Sequence, residues 1–158
     1  MKLRDIVVRD AIVADLEANQ RDEVIRELVG VLIAAGAAPD GAEDELVDRL
    51  LARERKGSTG FGRGVAVPHV KHPRVTQMAA AIGLSSGGVE FEALDKQPVY
   101  SVFLLLSPED QPEEHLQAME SIFKNLSKDT FRRFLRQSNS ADEVWSLLEE
   151  ADTQQLGG

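Results

Sequence analysis

The sequence has no cysteine, which excludes disulfide bonds and metal sites built from thiolates. It also has no apolar run of about 18 residues, and no N-terminal segment in which a charged stretch precedes an apolar one. We therefore expect a protein that neither inserts into a membrane nor is exported. The cytoplasm is the expected compartment.

Positive charge is also scarce, with 18 lysines and arginines against 27 aspartates and glutamates, for a net charge of −9. Binding to nucleic acid needs a face rich in lysine and arginine that displaces counterions from the phosphates, so this class of function is not favoured. A basic protein partner suits the charge better.

The length and composition are those of one folded domain. A chain of 158 residues can bury a single core, and 42% hydrophobic with 28% charged residues is not the composition of a disordered chain. We predict one domain over residues 1–152, followed by a flexible tail at 153–158.

The spacing of apolar residues predicts alternating helices and strands. Helices are expected over 21–35, from a cap at Asp40 to Gly57, from a cap at Asp110 to Leu126, over 128–136, and from a cap at Ser140 to Leu148, with Asn19 capping the first. Strands are expected over 78–84, 89–92 and 99–106, with a break at Gly87 and Gly88 and with the last strand at the centre of the sheet. Residues 1–18 predict a short helix and an edge strand. Interleaved helices and strands indicate an α/β fold, while strand directions stay open.

The stretch from Arg53 to His69 has an unusual composition, with four glycines and a proline between two regular elements. Gly57 is expected to end the helix that carries Arg53, because glycine readily adopts the conformation that closes a helix. The chain then becomes extended over 65–67, and Pro68 fixes its own φ angle. His69 therefore follows a rigid stem, which is a good position for a nucleophile.

A neutral imidazole can accept a phosphoryl group, because its unperturbed pKa of about 6.5 leaves a lone pair free near neutral pH. Transfer then depends on positioning and on neutralising the phosphoryl oxygens. Arg53, the donors of residues 58–64 and a second ring at His115 could make these contacts. Taken singly, a histidine after a proline or beside an apolar stripe is more often a surface or border residue. Their joint occurrence favours a site.

Two blocks of the sequence resemble the active-site signature of the fructose/mannitol class of enzyme IIA domains from the bacterial sugar phosphotransferase system, including its nitrogen-related regulatory branch. The blocks comprise Arg53, Glu54, residues 58–62, Gly64, Ala66, Pro68 and His69, and then His115, Leu116 and Gln117. The resemblance follows the order of elements over almost the whole chain. It implies a mixed central β-sheet with helices on both sides.

By this resemblance His69 is the phosphorylated residue, through its Nε2 atom, and His115 is the second active-site histidine. Arg53 is the arginine of the site, and Ser58 and Thr59 are candidate phosphate-binding residues. The resemblance implies a phosphotransferase component that needs no metal, nucleotide or organic cofactor.

The partners implied by the resemblance are proteins. The donor is a small phosphohistidine protein of the HPr type. The phosphoryl group then passes to a IIB component or serves as a regulatory state. Because the sequence contains no fused IIB or IIC segment, it favours the nitrogen-related regulatory branch.

Two other functions stay open. A zinc hydrolase could use the three histidines with Glu113 or Glu114 as a fourth ligand. Against it, His69 and His72 would face opposite ways in an extended segment, and Lys71 between them disfavours a cation. His72 is interpreted as a surface or substrate-edge residue. The other alternative is an interaction module with the IIA fold, in which a phosphoryl charge of about −1.5 to −2 changes the affinity for a target.

Overall fold

The computed structural model describes residues 1–157, in which strands are interleaved with helices as the sequence predicts. The strands are β1 (Val7–Val13), β2 (Val65–Ala66), β3 (His69–His72), β4 (Ala79–Val89) and β5 (Val99–Pro108). The helices are α1 (Leu3–Ile6), α2 (Arg21–Ala34), α3 (Glu43–Arg55), α4 (Pro112–Leu126), α5 (Asp129–Gln137) and α6 (Ala141–Gly157). Of the helices within these described residues, none has the length and apolar character needed to cross a membrane.

Strand β5 is the centre of the sheet, as predicted from its nearly continuous apolar sequence. β4 pairs with one side of it in antiparallel orientation, and β2 and β3 pair with its other side in parallel orientation. β1 runs parallel to β4 and forms an edge. The sheet is therefore mixed.

Two apolar cores lie on opposite faces of this sheet, because successive residues of β4 and β5 point to alternate sides. One core packs α2 and α3 against the sheet through Val24, Leu28, Leu46, Leu50 and Leu104. The other packs α1, α4, α5 and α6 through Ile6, Phe103, Ile122, Leu135 and Leu148. The prediction of a mixed sheet with helices on both sides is confirmed.

The edge strand that carries His69 is interrupted by a proline. Ala66 pairs with Val102 and His69 pairs with Leu105, so β3 continues β2 along the same edge of β5 in one register. Pro68 has no N–H to donate, but its carbonyl oxygen accepts a hydrogen bond from the N–H of Leu105 at 2.9 Å. His69 therefore begins β3 from a position fixed by the sheet.

The prediction of a separate strand over 89–92 is wrong, as is the break before it. β4 runs continuously to Val89, with an irregularity in its pairing between Leu84 and Val89. Gly88 has a φ of 90°, and a Cβ there would lie 2.8 Å from Cβ of Pro98. Glycine at this position permits both a bulge within one strand and the close approach of Pro98. A bulge and a close approach favour glycine as much as a turn does, so the two glycines alone do not indicate a break.

Helix capping was only partly predictable. Capping by Asn19, Asp40 and Asp110 is wrong, because α2, α3 and α4 begin after other residues whose side chains make no capping hydrogen bond. Each of these helices instead has acidic residues in its first turn, where they complement the helix dipole. Ser140 does cap α6, since its Oγ accepts a hydrogen bond from the N–H of Glu143 at 3.1 Å.

The last helix is longer than the sequence predicts. α6 continues to Gly157, beyond the domain boundary expected at residue 152. Within this extension the Thr153 hydroxyl donates to the carbonyl oxygen of Glu149 at 2.9 Å, one turn earlier. The flexibility expected of 153–158 stays a prediction, and Gly158 lies outside the described residues.

Candidate functional site

His69 is the first residue of β3 and is half-buried. Its Nδ1 atom lies 2.8 Å from the carbonyl oxygen of Val67. A carbonyl oxygen can only accept, so the proton of the neutral ring is on Nδ1 and the lone pair is on Nε2. The backbone therefore selects the tautomer that leaves Nε2 free as a nucleophile.

The surroundings of His69 favour the neutral ring. Burial lowers the pKa of His69 below its ordinary value, and the positive charges of Arg53 and Lys71 lower it further. The hydrogen bond to Val67 and the charge of Glu54 oppose this shift in pKa without cancelling it. At neutral pH the lone pair is thus available.

His115 lies in the first turns of α4 and is 6% exposed. Its Nδ1 atom is hydrogen-bonded at 2.7 Å to Oγ of Ser107, which is fully buried near the end of β5. Burial lowers the pKa of His115 to about 4, with smaller contributions from His69 and Lys71. This ring is also neutral at physiological pH.

The two histidine rings lie side by side, with centroids 5.6 Å apart and planes inclined at 44°. The sheet register explains the contact. His69 pairs with Leu105 near the end of β5, and α4 begins shortly after that end, so its first turns lie over the same region. Two histidines distant in the sequence thus meet at one end of the central strand.

Arg53 lies in the last turn of α3 and is half-buried. Its Nη1 atom donates a hydrogen bond to the carbonyl oxygen of Gly57 at 2.9 Å. Its charge is close enough to His69 to lower the pKa of that ring. Since a guanidinium has five donors in a planar fork, it can bind phosphoryl oxygens with the N–H groups that Gly57 does not use.

Glu54 holds the loop that follows α3. Its buried carboxylate accepts hydrogen bonds from the N–H of Thr59 at 3.0 and 3.3 Å and from the Thr59 hydroxyl. The Thr59 carbonyl oxygen accepts in turn from the N–H of Val67 at 3.2 Å, which ties the loop to the segment before β3. Ser58 Oγ accepts from the N–H of Gly60 at 3.0 Å and keeps its own proton for another partner. Ser58 thus has a free donor, whereas both donors of Thr59 are engaged.

His72 lies on the opposite side of β3 from His69, which confirms the prediction that the two rings face opposite ways. The N–H of Arg74 donates to its Nδ1 at 3.0 Å. Its Nε2 approaches Oε1 of Glu45 to 3.0 Å without the alignment of a hydrogen bond. The interpretation of His72 as a surface residue is wrong, because α3 packs against β3 and leaves the ring 0% exposed.

The arrangement of the three histidines does not favour a zinc hydrolase. Glu113 and Glu114 are exposed in the first turn of α4, and His72 is on the other face of the sheet. Throughout residues 1–157, no three histidine, aspartate or glutamate side chains form a group that could hold a metal ion.

Two features of the site were missed by the sequence reasoning. The first is the hydrogen bond between Ser107 and His115. The position of this serine at the end of the predicted central strand, shortly before His115, is the sequence feature that indicates such a contact. Phe61 lies in the glycine loop, by which we mean residues 56–64 between α3 and β2. Its ring contacts Phe123 of α4, with ring centroids 5.0 Å apart. That contact packs the loop against the helix that carries His115.

Comparison with known proteins identifies relatives of this chain. Residues 5–151 match the family described as "Phosphoenolpyruvate-dependent sugar phosphotransferase system, EIIA 2". A nitrogen regulatory protein of Bradyrhizobium diazoefficiens is 35% identical over 150 residues, which are 94% of this chain and 95% of that protein. The fructose-specific EIIABC component of Bacillus subtilis is 32% identical over 152 residues, which are 96% of this chain but only 24% of that protein.

Solved structures agree with the sequence matches. The nitrogen regulatory protein IIA-Ntr of Neisseria meningitidis has a TM-score of 0.81 at 32% identity, covering 90% of this chain and 96% of that one. The mannitol enzyme IIA of Escherichia coli, solved with phosphorylated mannitol enzyme IIB, has a TM-score of 0.75 at 25% identity, covering 89% and 95% of the two chains. Since the family match spans most of the sequence, the chain belongs to the EIIA 2 family of the phosphoenolpyruvate-dependent sugar phosphotransferase system.

Proposed function

We propose that this chain is a phosphohistidine carrier that accepts a phosphoryl group on Nε2 of His69. One observation carries the proposal: the hydrogen bond from Nδ1 to the Val67 carbonyl leaves the lone pair on Nε2. Burial keeps the pKa of the His69 ring low enough for that lone pair to be free at neutral pH. Membership of a phosphotransferase family supports the same role.

The proposed donor is a small HPr-like protein that carries phosphohistidine. The Nε2 lone pair of His69 attacks phosphorus, and an N–P bond forms while the N–P bond of the donor breaks and its electron pair returns to the donor ring. The proton stays on Nδ1 of His69 during the transfer, hydrogen-bonded to the Val67 carbonyl oxygen. Because bonds of the same kind form and break, the reaction can run in either direction.

Three groups are proposed to bind the oxygens of the transferred phosphoryl group. Arg53 offers guanidinium donors, Ser58 its free hydroxyl and His115 a ring N–H. Thr59 is proposed to contribute through its bonds to Glu54, which hold the loop in place for Ser58.

Ser107 is proposed to decide which nitrogen of His115 carries the proton. Among the residues that the structure describes, its hydroxyl has no hydrogen-bond partner other than Nδ1 of His115, so it satisfies its own proton only by donating. The neutral His115 ring then carries its proton on Nε2. It would meet a phosphoryl group as a donor rather than as a second nucleophile.

We favour a regulatory use of the phosphorylated chain over a step in sugar transport. The nitrogen regulatory protein of Bradyrhizobium diazoefficiens is 35% identical, and that of Neisseria meningitidis has a TM-score of 0.81. A IIB-type protein is a further proposed partner, since the related mannitol enzyme IIA was solved in complex with one. Phosphoenolpyruvate is a cytoplasmic metabolite, and the cytoplasm is therefore the proposed compartment.

The test is incubation of the purified chain with phosphoenolpyruvate, enzyme I and the HPr-like donor. We expect incorporation of phosphate that is labile in acid and stable in base, as an N–P bond on histidine requires. His69→Ala should retain the circular dichroism spectrum of the wild type and take up no phosphate above background. Equal labelling of both proteins would refute the proposal. A folded wild-type chain that is never labelled would favour the interaction module instead.

A further inference from the structure

The positive charge of this acidic chain is concentrated in one stretch. Residues 121–140 contain five lysines and arginines and a single acidic residue, although the whole chain has a net charge of −9. The stretch comprises the second half of α4 and all of α5. Such a local reversal of sign on a protein surface attracts ligands of opposite charge.

Part of this charge has a structural use. The side chains of Arg132 and Asp129 form an ion pair, and Arg132 Nη1 also donates to the Leu126 carbonyl oxygen at 2.6 Å, at the end of α4. Arg133 and Arg136 differ, since both are exposed and neither forms an ion pair or hydrogen bond with any described residue. Their charges are free for an external partner.

A third arginine reaches the same place from the glycine loop. Arg63 is exposed, holds a left-handed φ of 60° and forms no ion pair within residues 1–157. It lines a cleft of about 460 Å³ together with Arg133 and Arg136, and the ion pair of Arg132 and Asp129 lines the same cleft. We call Arg63, Arg133 and Arg136 the arginine surface.

One member of the arginine surface is held in a defined orientation. The guanidinium carbon of Arg136 lies 3.7 Å from the ring centroid of Tyr100, so the planar group is stacked on the ring. Tyr100 packs against Gly64 so closely that a Cβ there would lie 3.0 Å from the ring. Stacking leaves the N–H edges of Arg136 open and reduces the entropy lost when a carboxylate binds.

An exposed aromatic ring borders the arginine surface. Phe134 is 46% exposed, and the guanidinium carbon of Arg133 lies 5.8 Å from its ring centroid. Phe134 also lines a second cleft, together with Asp142 and Glu143 of α6. Arginines therefore line one cleft near α5, and acidic residues line the other. A complementary partner has acidic residues, then an apolar residue, and no acidic residues beyond it.

The arginine surface is separate from the two facing histidines. Val65, close to Arg63, pairs with Ser101, whereas His69 pairs with Leu105. Four residues along a strand correspond to about 13 Å. A partner held by the arginines therefore does not need to occupy the space between His69 and His115.

We propose that the arginine surface docks an acidic segment of a protein partner, with an apolar side chain of that segment placed against Phe134. A small anion would use the arginines and leave Phe134 exposed. A long nucleic acid would meet the acidic residues of α6 and the net charge of −9. Charge complementarity together with the exposed ring thus favours a protein segment. This docking goes beyond phosphoryl transfer and does not depend on it.

The test uses a fluorescein-labelled peptide with four glutamates followed by a phenylalanine and serines, and measures anisotropy with the unphosphorylated chain. We expect binding that weakens between about 0.05 and about 0.3 M salt. Arg133→Glu/Arg136→Glu should weaken binding by at least about tenfold. The matched variant Arg74→Glu/Lys96→Glu changes the same total charge at two exposed positions elsewhere and should bind within about twofold of the wild type.

Two further measurements test the apolar contact and the position of the peptide. Replacing the peptide phenylalanine by serine should weaken binding, and backbone shift perturbations in NMR should centre on α5.

Several results would overturn the proposal. The proposal fails if the wild type does not bind the peptide, or if the two charge-reversal variants lose affinity equally. Pyrophosphate that displaces the peptide at lower concentration than an unlabelled copy of it would indicate a small-anion site. Dimers of the free chain that disappear in Arg133→Glu/Arg136→Glu would make a second copy the occupant.

Discussion

His69 and His72 lie on the same short strand and differ in which ring nitrogen keeps a lone pair, which decides nucleophilicity. His69 donates from Nδ1 to the Val67 carbonyl, whereas Nδ1 of His72 accepts from the N–H of Arg74. The hydrogen bonds therefore place a proton on Nδ1 of His69 and on Nε2 of His72. His69 keeps a lone pair on Nε2, and His72 keeps a proton there.

The surroundings of the two rings differ as well. The nearby charge of Arg53 lowers the pKa of His69, after burial, and also suits an incoming phosphoryl group. Glu45 faces Nε2 of His72 and would repel that group, while α3 covers the ring completely. The proposal that His69 and not His72 accepts the phosphoryl group therefore rests on three conditions: the backbone partner, a neighbouring cation and access. Each condition can be tested separately.

Exchanging either histidine gives the largest expected contrast. His69→Gln should abolish phosphorylation, whereas His72→Gln should be labelled within about threefold of the wild-type rate. Because His72 is fully buried, His72→Gln should instead lower the free energy of unfolding by about 1–3 kcal/mol. Label transfer and urea unfolding measure the two effects. A folded His72→Gln protein that takes no label would contradict the claim that only His69 of the two is needed for phosphorylation.

Removing the cation beside His69 should have the next largest effect. Arg53→Gln is expected to slow transfer by about ten- to a hundredfold, because a charge-assisted hydrogen bond contributes about 1.5–3 kcal/mol. Rapid-quench kinetics with the phosphorylated donor measure the rate. Arg55→Gln is the matched control, since Arg55 is exposed on the same final turn of α3. Equal losses in both variants would point to general attraction of the donor rather than to contact with the phosphoryl group.

The third histidine, His115, is expected to make the stability of the fold depend on pH. The folded-state pKa of His115, lowered by burial to about 4, is below the unfolded value of about 6.5. The unfolded chain therefore binds more protons between these values, and stability falls as pH drops through this window. We expect a loss of about 2 kcal/mol at pH 5 relative to neutral pH, from urea unfolding. His115→Gln should remove this part of the pH dependence, and an unchanged profile would contradict the burial argument.

The architecture was predictable from the sequence because it depends on patterns. The uninterrupted apolar run of β5 identifies a strand covered on both faces, and the odd separation of His69 and His72 predicts opposite orientations. The nearness of His69 and His115 came from the family resemblance and is explained by the register of β3 on β5.

The remaining features depend on tertiary contacts that leave no local signal. Gly88 looks like a turn residue until Pro98 is placed against it. His72 looks exposed until α3 covers β3. Thr59 is a candidate phosphate ligand by sequence, and only the structure shows that Glu54 engages both its donors. In each case the partner comes from another element of the fold.

Ser107→Ala should have the smallest effect and tests how the proton of His115 is placed. Loss of one neutral hydrogen bond of about 1 kcal/mol predicts a transfer rate lower by about fivefold. The ring ¹⁵N shifts of His115 should also change from those of a single Nε2–H tautomer towards those of a mixture of tautomers.

Two control variants separate the hydroxyl from other effects. Ser107→Thr keeps the hydroxyl and should restore both properties. Ser101→Ala removes a buried hydroxyl from the same strand without a histidine partner and should alter neither. Unchanged ¹⁵N shifts in Ser107→Ala would mean that another group sets the tautomer, and the role of Ser107 would fail while the assignment of His69 stands.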